Sequence, residues 1–342
     1  MPFVKALNNY LEWLSTEAYQ VGEEGLAIYR IVYALFILFY GVPGFVWVGQ
    51  NPDVFFWPPR ASLPGLFFEG FPSTVVLALL SGGVCLSLLF ILIGRYTRTA
   101  SVLFSVLTVV GLSFSFSFGK IDHNLIVWVV PFFMAWSGWG RRFSLDARSP
   151  ASPPVRGIPV AIVALLIGFC MFTAGAQKVW GGWLNPGTHA AYGHVYQAVE
   201  VFGRTPPLAS AILGIDSSLI LESFDYLVVA FEVGFLVAVL HPLALRGFLA
   251  GAFLFHAGVY LTMGIRTEIL TIVYLLVLVD WDVSVNLLRR YVDAVSTPWY
   301  ISRTVLISAS FVITGLHLWK QFQMGLPESK GLSLVELIQF FG

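Results

Sequence analysis

A lysine ends a long apolar run in the stretch TAGAQKVWGGW, residues 173–183. Small residues and one methionine lead up to it at spacings of three and four: Ala161, Ala164, Gly168, Met171, Gly175 and then Lys178. On a helix these positions form one stripe, and small residues on such a stripe let a neighbouring helix approach closely. An apolar setting favours a neutral amine, which can accept a proton. A lysine that simply extends to the membrane interface is the alternative, and the sequence leaves both open.

Three acidic residues share one helical face further along the chain, at Glu222, Asp225 and Glu232. Glu222 fits a solvated face. Glu232 lies deep among apolar residues, where a free carboxylate is costly. We therefore expect Glu232 to be either protonated or paired with a cation.

Two histidines are further candidates. His123 follows Asp122 and precedes Asn124 in the segment GKIDHN, which could equally be a polar turn that caps a helix. His256 lies in the middle of the run GAFLFHAGVY, with Tyr260 one turn later. A histidine in such a run can serve chemistry or can bond to a neighbouring polar group, and the sequence does not decide between the two.

Two other polar sites have structural interpretations. Arg266 and Glu268 begin an apolar run and could form a solvated turn. Arg30 lies inside the first apolar run, and we predict that it pairs with Asp146.

The composition indicates that membrane-spanning helices position these side chains. The chain has 342 residues, of which 57% are hydrophobic and 11% charged, and its mean hydropathy is +0.81. Soluble domains carry roughly 25% charged residues. A formal net charge of zero gives no indication of nucleic-acid binding. Cys85 and Cys170 both lie in apolar runs, with no disulfide or metal-binding spacing.

The apolar runs predict an all-α, polytopic membrane bundle. A bilayer core requires about 20 apolar residues per helix. Nine runs are candidates, and eight spans is the alternative because the fourth and eighth are short: 25–45, 73–93, 98–118, 123–139, 157–178, 219–240, 246–263, 266–281 and 302–321. We predict an amphipathic segment at 1–24, a transmembrane core at 25–285, and a last span with an amphipathic tail at 286–342.

The basic residues predict the orientation. They are concentrated on the side that holds the N-terminus, above all in the cluster at 141–156. The positive-inside rule then places the N-terminus in the cytoplasm and the C-terminus outside the cell membrane. One outward-opening pocket would collect the candidates of that leaflet, with His256 somewhat deeper: Asp122, His123, Asn124, Lys178, Asp225 and Arg266.

Four segments together resemble a known family, the HTTM (horizontally transferred transmembrane) domain. They are GLAIYRIVYALFILFY, KIDHNLIVWVVPFFMAWSGWGRRFSLD, TAGAQKVWGGWLNPG and FLFHAGVYLTMGIRTEILTIVYLLVL, in that order. The resemblance covers about residues 20–285, and its most specific piece is AG-x-x-K followed by tryptophan. This domain is the membrane part of vitamin K-dependent gamma-carboxylase.

The resemblance implies a chemistry for the candidate residues. Lys178 matches the base that deprotonates vitamin K hydroquinone, His123 matches a histidine near the glutamate carbanion, and His256 matches a membrane histidine. In the family, reaction with O2 converts the quinol to its epoxide while CO2 adds to the glutamate. No metal takes part. The expected quinol-binding residues are Asp122, Asn124, Gln177, Trp180, Asp225, Glu232, Tyr260, Arg266 and Glu268.

The leading functional expectation is therefore a carboxylase-like enzyme that uses an isoprenoid quinol on a peptide or related substrate. Chains of this length also resemble a membrane protein that matures an exported peptide toxin, so a non-enzymatic maturation factor is one alternative. A proton-coupled transporter, with the acidic face as its proton path, is the other.

Overall fold

The computed structural model describes residues 2–60, 62–119, 121, 123–147 and 157–294. All regular secondary structure in these residues is helical. The predicted span at 302–321, the amphipathic tail and Asp122 lie outside the described residues.

Thirteen α-helices are described. They are α1 (Pro2–Thr16), α2 (Glu23–Tyr40), α3 (Leu63–Phe67), α4 (Thr74–Ile93), α5 (Thr97–Ser115), α6 (Leu125–Met134), α7 (Ile158–Trp180), α8 (Ala190–Tyr196), α9 (Ala209–Leu213), α10 (Ser218–Ala238), α11 (Pro242–Met263), α12 (Thr271–Leu278) and α13 (Trp281–Ala294). Short 3₁₀ helices occupy Val46–Gln50, Asp53–Phe55 and Glu268–Leu270, and a π-helical turn occupies Gln197–Val201.

Four of the described helices are long and apolar enough to cross a membrane, namely α4, α5, α7 and α11. The predicted count of about nine spans is thus not confirmed. Helices α2 and α10 have 18 and 21 residues, but each carries three residues of the types Asp, Glu, Lys and Arg. The short fourth and eighth runs form helices α6 and α12, of ten and eight residues.

Local sequence explains where the long helices begin and end. The Ser73 hydroxyl accepts a hydrogen bond from the Val76 amide at the start of α4. Helix α11 begins at Pro242, whose missing N–H costs nothing in the first turn. Gly94 and Gly264 end these two helices in the left-handed region, at φ +70° and +66°, which glycine adopts without strain.

The described chain divides into two compact units. One, which we call the arginine unit, contains residues 20–160 and 279–294; the other, the lysine unit, contains residues 2–19 and 161–278. The boundaries predicted at 24/25 and 285/286 stay predictions, and α13 runs across the second of them.

The arginine unit is organised around Arg30 of α2, which is fully buried. In place of the predicted ion pair with Asp146, its guanidinium donates to four backbone carbonyls, those of Ile91, Leu92, Trp139 and Phe143. Ile91 and Leu92 belong to the last turn of α4, where carbonyls have no partner within the helix and carry partial negative charge. Arg30 therefore caps α4 and fixes the 139–143 turn.

Asp146 has other partners. Its carboxylate accepts hydrogen bonds from the Thr97 amide at 2.9 Å and the Thr97 hydroxyl at 3.3 Å. Arg95 lies 3.7 Å from the same carboxylate. Asp146 thus caps the N-terminus of α5.

Connections predicted to share one side of the membrane contact each other within each unit. In the arginine unit, the Asp146 amide donates to the Gly94 carbonyl, and Phe71 of the 46–72 loop stacks on Phe118. In the lysine unit, the Leu208 amide donates to the Leu261 carbonyl, and the Tyr19 hydroxyl donates to the Val239 carbonyl. Each of these contacts lies within one unit; the alternation of sides and the choice of the cytoplasmic side both stay predictions.

Cysteine labelling tests that choice. In a background without Cys85 and Cys170, we expect Asn185→Cys to react with a membrane-impermeant maleimide in intact cells. Ala147→Cys should react only after lysis, because the basic cluster beside it is retained in the cytoplasm. Both positions are exposed, so accessibility within the protein is matched. The reverse labelling pattern would invert the topology.

Candidate functional site

An ion pair joins α7 to α10 in the lysine unit. Lys178 Nζ lies 2.6 Å from Oε1 and 2.5 Å from Oε2 of Glu232. The Glu232 side chain is 4% exposed and that of Lys178 is 22% exposed. Of the two states predicted for Glu232, protonated or paired, the structure shows the paired one. Lys178 faces a neighbouring helix, as its stripe predicts.

Two glycines of the same stripe make this approach possible. A Cβ atom added at Gly175 would lie 2.9 Å from Cβ of Glu232, and one at Gly168 would lie 2.1 Å from Cγ1 of Val239. Real Cβ atoms do not come so close, so larger residues would push α10 away from α7. The small residues therefore set the distance at which Lys178 meets Glu232.

The two glycines after Trp180 end α7 in a way that covers Lys178. Gly182 has φ +82°, and its amide donates to the Val179 carbonyl, while the Trp183 amide donates to the Lys178 carbonyl. This pair of bonds is a Schellman motif, which requires glycine at the left-handed position. The motif turns the chain back so that Lys178 Nζ lies 5.3 Å from the centre of the Trp183 ring, a cation–π contact.

The rest of the acidic face of α10 holds the loop before α8. The fully buried Asp225 carboxylate accepts the amides of Ala190 at 2.6 Å and Ala191 at 2.7 Å, and so caps α8. Glu222 accepts the Gly187 amide and lies 3.6 Å from Nε2 of His189. Sequence analysis placed Asp225 in a quinol-binding set, whereas its observed contacts are those of a helix cap.

His256 on α11 contacts Tyr274 on α12. Its Nε2 lies 2.9 Å from the Tyr274 hydroxyl, and the two rings stack with centres 5.8 Å apart. The same hydroxyl lies 3.8 Å from Sδ of Met171 on α7. Met171 is seven residues before Lys178, about 10 Å along the helix axis.

The other predicted site residues are placed as follows. His123 is exposed and Asn124 half-buried just before α6, in the arginine unit. Gln177, Trp180 and Tyr260 are exposed. Arg266 and Glu268 form an exposed ion pair at 3.0 Å, which matches the solvated-turn interpretation. The structure thus brings together Lys178 and Glu232 of the predicted set.

Sequence reasoning missed two aromatic residues. The contact of Trp183 with Lys178 could have been predicted from the sequence W-G-G-W at the end of the apolar run. Glycine there indicates a Schellman motif, and the residue after that glycine, Trp183, then packs back against the last turn of the helix. The role of Tyr274 could not be predicted, since nothing in the sequence shows which residue a tyrosine inside an apolar run contacts. Tyr260, which lies one turn from His256, was the local choice, but its side chain is half exposed.

The search for metal-binding groups and the comparisons with known proteins gave no further site. Among the described residues, no group of three or more His, Cys, Asp or Glu side chains is arranged to hold a metal ion. No protein-family model, curated protein or solved structure matches the chain.

Proposed function

We propose that this protein is a membrane enzyme that takes a proton from an isoprenoid quinol at Lys178, in chemistry of the vitamin K-dependent gamma-carboxylase type. The observation that supports it is the Lys178–Glu232 pair beside the Trp183 ring, in a largely apolar helical bundle. In this proposal α2 and α10 also cross the membrane. Their charged groups are compatible with this because each has a partner within its unit.

The composition of the site fits a hydroxylated aromatic ring with an apolar tail. The Trp183 ring, whose centre lies 5.3 Å from that of His194, adds aromatic surface to the site. An ammonium has three N–H donors, and the two oxygens of Glu232 accept from Lys178, which leaves one donor for a ligand hydroxyl. A bilayer setting would admit the prenyl tail laterally and keep out water that would quench a strong base.

The pair changes the expected route of the proton. While Lys178 is an ammonium, it cannot accept one. In our proposal it passes a proton to the Glu232 carboxylate as it takes one from the ligand hydroxyl. One ligand O–H bond breaks, one O–H bond forms on Glu232, and total charge is conserved. Lys178 stays positive and faces the deprotonated oxygen, where it stabilises negative charge. Glu232 is then the final proton acceptor, and Lys178 is the relay.

A bound quinol would supply the electrons for oxygen reduction and the strong base formed from it. Such a quinol would supply two electrons to O2, with one oxygen atom going to the epoxide and the other to water. The base formed on the way would take the γ-proton of a glutamate, and the resulting carbanion would add CO2. An exported peptide or protein would provide the glutamate.

The test is an assay of purified protein in nanodiscs. We expect a reduced quinone with O2 to be converted to its epoxide, and labelled bicarbonate to enter a glutamate-containing peptide. Epoxide without label would keep the quinol chemistry and reject the carboxylation. Absence of both, with no quinone bound to the purified protein, would reject the enzyme and favour a maturation factor. Uptake driven by a pH gradient, measured after reconstitution into sealed vesicles, would favour the transporter.

A further inference from the structure

A charged cavity lies in the arginine unit, and its lining residues have no part in the proposed function. Its volume is about 390 Å³. The lining comes from the turn between α4 and α5 and from the segment that follows the 139–143 turn, and comprises Arg95, Tyr96, Thr97, Arg98, Thr99, Leu145, Asp146 and Ala147. We infer that this cavity binds the phosphate headgroup of an anionic phospholipid.

The position of the cavity places it at a membrane surface. Helix α4 ends at Ile93 and α5 begins at Thr97, and both are long enough to cross a bilayer. Helices of 20 and 19 residues extend about 30 Å, the thickness of the hydrocarbon core. The three residues that join them must therefore lie in the headgroup layer. Basic pockets between transmembrane helices at this level bind anionic headgroups.

The charges in the cavity favour an anion. Its described lining contains two arginines and one aspartate, which gives these residues a net charge of +2 − 1 = +1. Arg98 has a ring as its contact, with its guanidinium 5.1 Å from the centre of Trp136, and no carboxylate in the described part of the chain pairs with it. Arg95 lies 4.5 Å from the Tyr96 ring, and its distance to Asp146 is long at 3.7 Å. Two stacked guanidinium groups thus retain donors for phosphate oxygens.

The surrounding side chains fit a lipid rather than a soluble anion. Tyr96 and Trp136 are both more than half exposed beside the arginines. Exposed aromatic rings of this kind are enriched at headgroup depth, where one edge meets water and the other meets acyl chains. Thr99 is an exposed residue of the cavity lining, and its hydroxyl adds a further hydrogen-bond donor for a phosphate oxygen.

The cavity is also held in shape without a ligand. The Leu145 amide donates to the Ile93 carbonyl at 3.2 Å, and the Asp146 amide donates to the Gly94 carbonyl at 2.9 Å. The Asp146 carboxylate is bonded to Thr97, which fixes the second segment to the first turn of α5. A preformed site loses little freedom on binding, so the free energy of the arginine contacts is retained as affinity.

The experiment is native mass spectrometry of detergent-purified protein titrated with phosphatidylglycerol, phosphatidylcholine or inorganic phosphate. We expect the wild type to retain phosphatidylglycerol in preference to phosphatidylcholine. Arg95→Gln combined with Arg98→Gln should weaken that binding about tenfold or more, because each arginine near an anionic surface contributes on the order of a fivefold change in affinity. Arg60→Gln, which removes an exposed arginine of the same unit outside the cavity lining, is the matched control and should leave that binding unchanged.

A second variant gives a change of opposite sign. Asp146→Asn removes the one negative charge of the lining, while the amide oxygen can still accept from Thr97. We expect phosphatidylglycerol to bind more tightly to this variant, a result that simple loss of structure cannot produce. Equal binding of phosphatidylcholine, unchanged binding in the double variant, or displacement by millimolar phosphate would each overturn the assignment to an anionic lipid. Weaker binding to Asp146→Asn would overturn it as well.

Discussion

Replacement of Lys178 by arginine is expected to abolish conversion of the reduced quinone while the protein stays folded. Arginine keeps the positive charge and can still bond to Glu232 and stack on Trp183. It does not release its proton, however, and so cannot relay one to the carboxylate. Loss of a positioned acid–base group lowers turnover by a factor of about 100 to 10,000. The measurement is the initial rate of epoxide formation in nanodiscs, with wild type as reference.

The neighbouring carboxylate provides the second half of this prediction. Glu232→Gln has the same shape but cannot accept the relayed proton, so we expect a comparable loss of turnover. Lys178→Arg combined with Glu232→Gln should be no slower than either single variant, because both act in one proton transfer. Circular dichroism and gel-filtration profiles equal to those of wild type would show that folding is not the cause. Asp225→Asn is the control on the same helix: its amide oxygen can still accept one of the two amides at the start of α8, so its folding is checked in the same way before its turnover is compared.

Two outcomes would contradict the relay. Full activity of Lys178→Arg would return this lysine to a structural ion pair. Full activity of Glu232→Gln with an inactive Lys178→Arg would keep the lysine as the base and remove Glu232 from the proton route. Slower turnover in Asp225→Asn alone would move the chemistry toward α8.

The buried faces of the helices could be predicted because packing between helices requires small or apolar residues at every third or fourth position. The small residues before Lys178 predicted a close neighbour, and Gly168 and Gly175 do contact α10. The depth of Glu232 predicted a proton or a partner. Which helix supplies the partner could not be predicted, since Lys178 and Glu232 are 54 residues apart and nothing local links them.

The contacts of Arg30 could not be predicted for a different physical reason. A sequence shows carboxylates, and so Asp146 was the natural partner for a buried guanidinium. The acceptors that Arg30 uses are backbone carbonyls at the end of α4 and in the 139–143 turn, which any residue type can provide. The same holds for Asp225, whose partners are the amides of two alanines. Backbone groups that tertiary structure brings together leave no mark in side-chain patterns.

These carbonyl contacts lead to the second large prediction. Arg30→Leu is expected to lower the free energy of unfolding by about 3 kcal/mol or more, because leucine fills much of the space but leaves the carbonyls of Leu92, Trp139 and Phe143 without this donor, whereas the Ile91 carbonyl keeps the Gly94 amide. Each such buried group costs roughly 1–3 kcal/mol. Arg30→Lys should be intermediate, since one ammonium keeps the charge but cannot reach carbonyls that surround a planar guanidinium.

Unfolding of the protein in detergent by added SDS, followed by circular dichroism, gives these free energies. Arg266→Leu is the matched control, because Arg266 forms an exposed ion pair of the kind that contributes about 0–1 kcal/mol. We expect the free energy of unfolding to decrease from wild type to Arg30→Lys to Arg30→Leu. This order follows only if Arg30 stabilises the protein through directional hydrogen-bond donors at the end of α4. Equal stability of Arg30→Lys and wild type would show that its charge alone matters. Equal stability of Arg30→Leu and wild type would show that water or backbone rearrangement satisfies the carbonyls of Leu92, Trp139 and Phe143 without it.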